Sequence, residues 1–207
     1  MFAARRQRPV RGLAENRSAQ PSTHPALSYE QSTMTAVEVF ELTTSGGASD
    51  FVRVIELCSR LGPYCLIGGL AVNCFVDPVY TLDADLVLVS DAVDVAAQVL
   101  TDAGFTIQRF AHSLNAQAKP SELRIQFTLD ERYQAFVNRA TQREVLGTRV
   151  QVAQLEDIVQ GKLWAWSDPA RRLAKRKKDE LDLIRLAEAY PELVSTYPLA
   201  LRDLLAG

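Results

Sequence analysis

Apolar and polar residues follow regular periods from about residue 49 to the end of the chain, and both strand and helix periods occur. Segment 123–130 is the clearest strand, because every second residue is apolar and the residues between them are polar. The pattern predicts further strands at 64–67, 83–89, 106–110, 143–146 and 149–152. It predicts helices at 50–61, 70–75, 91–104, 155–166, 170–189 and 199–205.

Strands and helices alternate up to about residue 153, and only helices follow. Ser49 or Asp50 is a suitable N-cap for the first helix, and Asp91 for the third. This order predicts an α+β fold, in which a mixed β-sheet flanked by helices occupies residues 34–153. Residues 154–207 are predicted to form a C-terminal helical segment packed on that core.

Residues 1–33 do not share this pattern. They contain five arginines and three prolines but few apolar residues, and these show no period. Because so little apolar area could be buried against the loss of chain entropy, we predict a disordered tail. An arginine-rich, acid-poor start is also typical of a transit peptide.

The composition excludes several classes of protein. A formal net charge of -2 gives no overall attraction to nucleic acid or membranes, so such binding would need a local patch. No apolar run reaches the roughly 18 residues that a membrane span requires, and no membrane partner is expected. Three cysteines among apolar neighbours indicate buried, reduced thiols and a cytoplasmic protein, and no CxxC pair supports a zinc site.

Two short motifs predict chemistry. Gly68-Gly69 ends a predicted strand, where the absence of a Cβ lets the backbone approach a phosphate and the next helix begins with amides that favour anions. Asp83 and Asp85 are two residues apart on a strand, so their carboxylates face the same side and repel each other unless a cation lies nearby. Mg²⁺, or Mn²⁺, suits such oxygen ligands together with substrate phosphates. Each motif alone is also explained by a tight turn or by solvated acids.

The sequence Ile67-Gly68-Gly69, followed after thirteen residues by Asp83-Ala84-Asp85-Leu86, resembles the signature of the nucleotidyltransferases related to DNA polymerase beta. The helical half resembles AbiEii/AbiGii-type toxin nucleotidyltransferases at Gly161-Lys162-Leu163-Trp164-Ala165, Arg171-Arg172, 175–179 and Asp182. The resemblance implies a nucleotidyltransferase fold that binds a nucleoside triphosphate. It also implies transfer to a hydroxyl on tRNA or on a protein, and a bacterial toxin with a cognate antitoxin.

One position departs from the superfamily pattern. A third acid is usual between two hydrophobic residues of a neighbouring strand, and the matching residue is Gln126. Asp130 lies four residues further on, about 13 Å away at ~3.3 Å per residue, so it cannot take that place without a bulge. The missing acid puts catalysis in doubt more than nucleotide binding.

Cations in the helical half are candidates for phosphate binding. Lys162 lies in an otherwise apolar helix and either extends to solvent or serves a site, which the resemblance favours. Lys175 and Lys178 are predicted to share a helix face with Arg171 and to meet a triphosphate, although a solvated face explains them equally well. Asp179 and Asp182 either pair with nearby lysines or bind metal, and the tryptophans near Lys162 are expected in the core.

Three hypotheses follow from these residues. The first is a metal-dependent enzyme, in which Asp83 and Asp85 bind the metal and Gly68, Gly69, Lys162, Lys175 and Lys178 bind the nucleotide, with Gln126 beside them. The second is a relative that binds nucleotide or RNA without turnover, because Gln126 cannot act as a base. The third is an interaction domain in which the aspartates are incidental.

Overall fold

The computed structural model describes residues 34–206, and the tail predicted for residues 1–33 lies outside them, as does Gly207. The strands are β1 (Tyr64–Ile67), β2 (Asp83–Leu88), β3 (Thr106–Arg109), β4 (Ser113–Gln117), β5 (Arg124–Thr128), β6 (Thr141–Val145) and β7 (Thr148–Val152). The α-helices are α1 (Ala36–Thr43), α2 (Gly47–Leu61), α3 (Gly68–Val72), α4 (Val93–Asp102), α5 (Gln134–Val137), α6 (Leu155–Ser167), α7 (Leu173–Ala189) and α8 (Leu199–Ala206). Within this range no helix has the length and apolar character needed to cross a membrane.

The strands of residues 34–206 form a single mixed sheet in the order β3-β4-β5-β2-β1-β7-β6. β2 is antiparallel to β1 and parallel to β5, and β1 is parallel to β7. A mixed sheet with helices packed on it confirms the predicted fold class. The β2–β5 register places Asp83 beside Arg124 and Asp85 beside Gln126, so the polar residues of these two strands meet on one face.

The two faces of the sheet differ in burial. On one face, alternate residues of β2, β4 and β5 are at most 2% exposed and share a core with α2 and α4; they include Leu86, Leu114, Ile125 and Phe127. On the other face, α3, α6 and α7 pack together over the β1–β2 part of the sheet. The same face of β3, β4 and β5 is largely exposed. On this face the polar side chains of β4 and β5 are therefore accessible beside β2.

Three elements were not predicted. β4 has only two apolar residues, Leu114 and Ala116, yet it pairs with β3 on one side and with β5 on the other. α1 carries a sequence signal that was overlooked, since Thr35 and Glu38 form a capping box. α5 is a single turn that no periodicity could reveal.

Several helix starts were predicted wrongly. α2 begins at Gly47 rather than after Ser49 or Asp50, because Thr44 Oγ1 accepts a hydrogen bond from the Gly47 amide at 2.9 Å and Ser49 binds Glu41 instead. α3 begins at Gly68 rather than Leu70. The helix predicted from Asp91 is α4, which begins at Val93, and the helix predicted from Ala170 is α7, which begins at Leu173. A short turn precedes each of them.

Candidate active site

The first turn of α3 lies directly against Asp85. Ile67 pairs with Asp85 across β1 and β2, so the next residue, Gly68, faces the carboxylate. A Cβ added to Gly68 would lie 2.0 Å from Asp85 Oδ2, and the residue has a φ of +71°. Both facts require glycine here. Gly69 differs, because a Cβ there would make ordinary contacts of 3.5 Å or more with Thr81.

A small pocket of about 110 Å³ opens beside Asp85. Of the residues predicted for substrate binding, the pocket includes Gly68, Gln126 and Lys162. Much of the remaining wall comes from α5 and the turn before it, from α6, and from α7 and the turn before it; it includes Tyr133, Phe136, Gly161, Arg171 and Asp179. The structure therefore joins residues of both sequence halves in one cavity, whereas Gly69, Asp83, Lys175 and Lys178 lie outside its lining.

The two aspartates have opposite electrostatic surroundings. Asp83 Oδ1 is 2.7 Å from Arg124 Nε, and Asp83 Oδ2 is 3.3 Å from Lys175 Nζ. Partial burial raises the pKa of Asp83, but Lys175 and Arg124 outweigh it, and the pKa lies below its ordinary value. Asp83 is therefore ionised and already balanced by two cations.

Asp85 has no such partner. Among residues 34–206 no hydrogen bond or ion pair reaches its carboxylate, and burial raises its pKa above the ordinary value, with Lys162 opposing that change. Asp85 is half-buried, and a carboxylate that loses water without gaining a partner is costly in a folded protein.

Lys162 lies in a buried ion-pair network. Its Nζ is 2.9 Å from Asp179 Oδ1 and 2.7 Å from Asp182 Oδ2. Burial lowers the pKa of Lys162, but the two aspartates outweigh it and raise the pKa. Arg171 and Arg185 complete the network at 2.8 Å from Asp179 and 2.9 Å from Asp182. The sequence allowed Asp179 and Asp182 either to pair with nearby lysines or to bind metal, and the structure shows both of them paired with Lys162.

Two of the three cations predicted to share a helix face, Lys175 and Lys178, lie together on α7. Lys175 reaches Asp83, and Lys178 Nζ lies 3.3 Å from Thr81 Oγ1, so both side chains reach the mouth of the aspartate site from α7. Arg171 is not in this row, because it precedes the first residue of α7 and instead binds Asp179. The sequence pattern could not show where the helix begins.

Gln126 lies beside Asp85 in the β2–β5 register, at the place where the superfamily pattern has its third acid. Asp130 does not replace it, because its carboxylate caps the next turn and pairs with Arg132. The strand has no bulge that would bring Asp130 back toward Asp85. An amide therefore occupies this position.

Some residues of the site were missed by sequence reasoning. Tyr133 Oη donates to the Gly161 carbonyl at 3.3 Å, and a Cβ on Gly161 would come within 2.9 Å of the Tyr133 ring. Trp164 contacts the Phe136 ring and the Arg132 guanidinium, and it is half-buried at the margin of the core rather than within it. No local signal predicts these contacts, because they depend on how α5 meets α6.

The fold resembles that of known nucleotidyltransferases. No family model matches this sequence, and no curated protein matches it either. The structure of ANT(2'')-Ia in complex with adenylyl-2''-tobramycin superimposes with a TM-score of 0.52 at 15% identity, over 75% of this chain and 97% of that one. This similarity shows a nucleotidyltransferase fold. The closer resemblance to AbiEii-type proteins stays a prediction.

Two further structures give lower scores. An antigenic nucleotidyltransferase-like protein from Paracoccidioides brasiliensis matches with a TM-score of 0.49 at 20% identity, over 79% of this chain and 87% of that one. The lincosamide antibiotic adenylyltransferase LnuA, bound to lincomycin, matches with a TM-score of 0.49 at 12% identity, over 68% and 96%.

The contact between Gly68 and Asp85 gives a testable difference between the two glycines. Gly68→Ala should place a methyl group on the Asp85 carboxylate and force a non-glycine residue to a positive φ, a strain of about 1–3 kcal/mol. Thermal melts should show lower stability for Gly68→Ala than for Gly69→Ala, which serves as the matched control. Equal stability of the two variants would contradict the close approach.

Proposed function

We propose that this chain transfers a nucleotidyl group from a nucleoside triphosphate to an acceptor hydroxyl, with Asp83 and Asp85 holding Mg²⁺ or Mn²⁺. The observation that carries the proposal is the unpaired carboxylate of Asp85, which lies at a pocket between Gly68 and Gln126. The nucleotidyltransferase fold supports it. Two carboxylates on one strand face, with cations around them, suit a metal-bound triphosphate.

The donor set fits a magnesium ion shared with a substrate. Within the described residues no group of three or more His, Cys, Asp or Glu side chains could hold a metal alone. Mg²⁺ is commonly bound by one or two carboxylates and by substrate phosphates. When bound, the ion would neutralise charge on the triphosphate and on the leaving pyrophosphate.

The protein's own residues would bind and orient the nucleotide. Gly68 leaves room beside Asp85, and the side chains of Lys175 and Lys178 can turn from Asp83 and Thr81 toward the phosphate tail. Lys162, in the pocket wall, favours the ionised form of Asp85. Asp179 and Asp182 hold the Lys162 side chain in place. Positioning of this kind supplies much of the catalysis of phosphoryl and nucleotidyl transfer.

The transfer itself needs one proton acceptor. The acceptor oxygen bonds to the α-phosphorus, and the bond from that phosphorus to the bridging oxygen breaks. Pyrophosphate leaves with the electron pair, and the hydroxyl proton passes to water. Gln126 does not take this proton, because an amide accepts none at neutral pH.

A second candidate function is supported by Gln126. A chain that lacks the third acid could bind nucleotide or RNA with little or no turnover, and the position of Gln126 beside Asp85 favours this alternative. The two candidates share the nucleotide site and differ only in rate. They are therefore distinguished by a measurement of transfer, since binding is common to both.

The biological role is proposed from the resemblance in sequence. Lys162, Asp179 and Asp182 belong to the AbiEii-like helical half, and the structure joins them in one network beside the pocket. We infer a cytoplasmic toxin that modifies a hydroxyl on tRNA or on a protein and that has a cognate antitoxin. The three free cysteines fit a reducing compartment.

Metal-dependent binding of the nucleotide is the first expected outcome. In calorimetric titrations with Mg²⁺, the native chain should bind at least one nucleoside triphosphate, and Asp85→Asn should weaken binding by about tenfold or more, or about 1.4 kcal/mol. Asp91→Asn, at an exposed turn, is the matched control and should bind as the native chain does. If all three proteins bound the nucleotide with equal affinity, the proposed metal site at Asp85 would be wrong.

A toxin should slow the growth of bacteria that express it. We expect growth arrest with the native chain and normal growth with Asp85→Asn, because loss of the metal ligand should stop the reaction. Expression of Asp91→Asn should arrest growth like the native chain. Arrest by Asp85→Asn at equal protein levels would show that toxicity does not depend on this site.

Replacing Gln126 distinguishes the active enzyme from the degenerate relative. General-base help is worth about 10²–10⁴-fold in rate, so Gln126→Asp should raise the transfer of labelled nucleotide toward that range if the native chain is slow for lack of a base. Nucleotide affinity in Mg²⁺ should stay equal or increase. Fast transfer by the native chain with no gain in Gln126→Asp would mean that no base is missing at this position and would exclude the degenerate alternative.

A further inference from the structure

An apolar groove of about 470 Å³ lies between α1, the first half of α2 and the turn that joins β6 to β7. Two of its residues are well exposed, Met34 at 51% and Leu42 at 69%. None of its lining residues lines the pocket beside Asp85, and α2 covers the opposite face of the sheet from α3, α6 and α7. The groove is therefore separate from the proposed nucleotide site. Its apolar lining consists of Met34, Val37, Leu42, Ala48, Val52 and Leu146.

Two carboxylates border this groove. Glu38 and Glu41 line it, and among residues 34–206 no lysine or arginine does so. Hydrogen bonds from Thr35 lower the pKa of Glu38, and hydrogen bonds from Ser49 lower the pKa of Glu41, so both carboxylates are ionised near neutral pH. Neither has a cationic partner in the part of the chain that the structure describes. Such a border favours a ligand that carries positive charge beside its apolar groups.

The β6–β7 turn places a strained leucine in the groove. Leu146 and Gly147 form a two-residue turn between the paired residues Val145 and Thr148, with φ values of 49° and 78°. Asn-Gly is the usual pair in such a turn, because both positions need a positive φ, and a leucine is uncommon there. Leu146 nevertheless lines the groove. An apolar side chain at an unfavourable backbone position indicates a role for that side chain.

We propose that this groove binds an amphipathic helix of a partner protein, which carries apolar residues on one side and lysine or arginine at the margins of that side. The 8 residues of α1 extend about 12 Å at ~1.5 Å per residue, so a partner helix can lie along the groove for about two turns. Its apolar residues, at i, i+3, i+4 and i+7, would contact Leu42, Val52 and Leu146. Basic residues beside them would meet Glu38 and Glu41.

A second copy of this chain suits the groove less well. In a two-fold dimer the same surface is present on both sides of the interface. Glu38 and Glu41 of one copy would then face Glu38 and Glu41 of the other, and like charges without a cation between them repel. The acidic border therefore favours a partner of opposite charge.

Binding of a synthetic peptide tests the proposal. The probe is a fluorescein-labelled helical peptide of leucine and lysine, in which the leucines form one face, and its control has glutamate in place of every lysine. In fluorescence anisotropy the full native chain should bind the lysine peptide in the micromolar range and the glutamate peptide about tenfold more weakly or less. Added salt should reduce this difference, because it screens exposed charges.

Three variants locate the binding. Leu42→Lys should weaken it by about tenfold or more through lost apolar burial, and Leu199→Lys, at a leucine of α8 that is 68% exposed, is the matched control. Leu146→Asn should weaken binding by about tenfold with little change in melting temperature, because Asn-Gly relieves the turn. Glu38→Gln keeps a residue that can complete the capping box, and it should weaken binding by about two- to fivefold through the lost charge.

Several outcomes would overturn the proposal. They are no binding of the lysine peptide, equal binding of the two peptides, and equal binding by the native chain, Leu42→Lys and Leu146→Asn. Sedimentation velocity tests the second copy: a dimer of the native chain that Leu42→Lys dissociates would make another copy of this chain the occupant instead. None of these measurements involves nucleotide, so their failure leaves the proposed function untouched.

Discussion

The site depends on the contact between the backbone at Gly68 and the carboxylate of Asp85. A Cβ at that position would overlap the carboxylate, so the backbone can approach only because glycine has none. The antiparallel register of β1 and β2 fixes this approach by pairing Ile67 with Asp85. The contact removes water from one side of Asp85, and no cation among residues 34–206 forms an ion pair with its carboxylate.

Charge is divided unequally around this contact. Asp83 has two cationic partners, whereas Asp85 has none among residues 34–206. Lys162 lies near Asp85 but is held by Asp179 and Asp182. A buried network of this kind is weak support for stability, since desolvation offsets much of the attraction. The network does fix positions: it joins α6 to α7 and holds the part of the pocket wall that Lys162 and Asp179 form.

Gln126 bears on turnover more than on nucleotide binding, because an amide cannot act as a base. Gly68 and the lysines of α7 lie around Asp83 and Asp85, and the strand position beside Asp85 carries Gln126. The same residue pairs with Asn115 of β4. An amide at this position is compatible with either a slow enzyme or a binding protein.

The sequence determined the local features: the alternation of β5, the glycine pair, the paired aspartates, and the absence of an acid at Gln126, because each depends on neighbours along the chain. It did not determine β4 or α5, whose residues have weak local preferences and are stabilised by partners far away in sequence. Only the tertiary structure decided that Lys162 pairs with Asp179 and Asp182, that Arg124 and Lys175 both bind Asp83, and that Asp85 stays unpaired. These outcomes depend on strand register and on the packing of α6 against α7, which residue spacing alone does not specify.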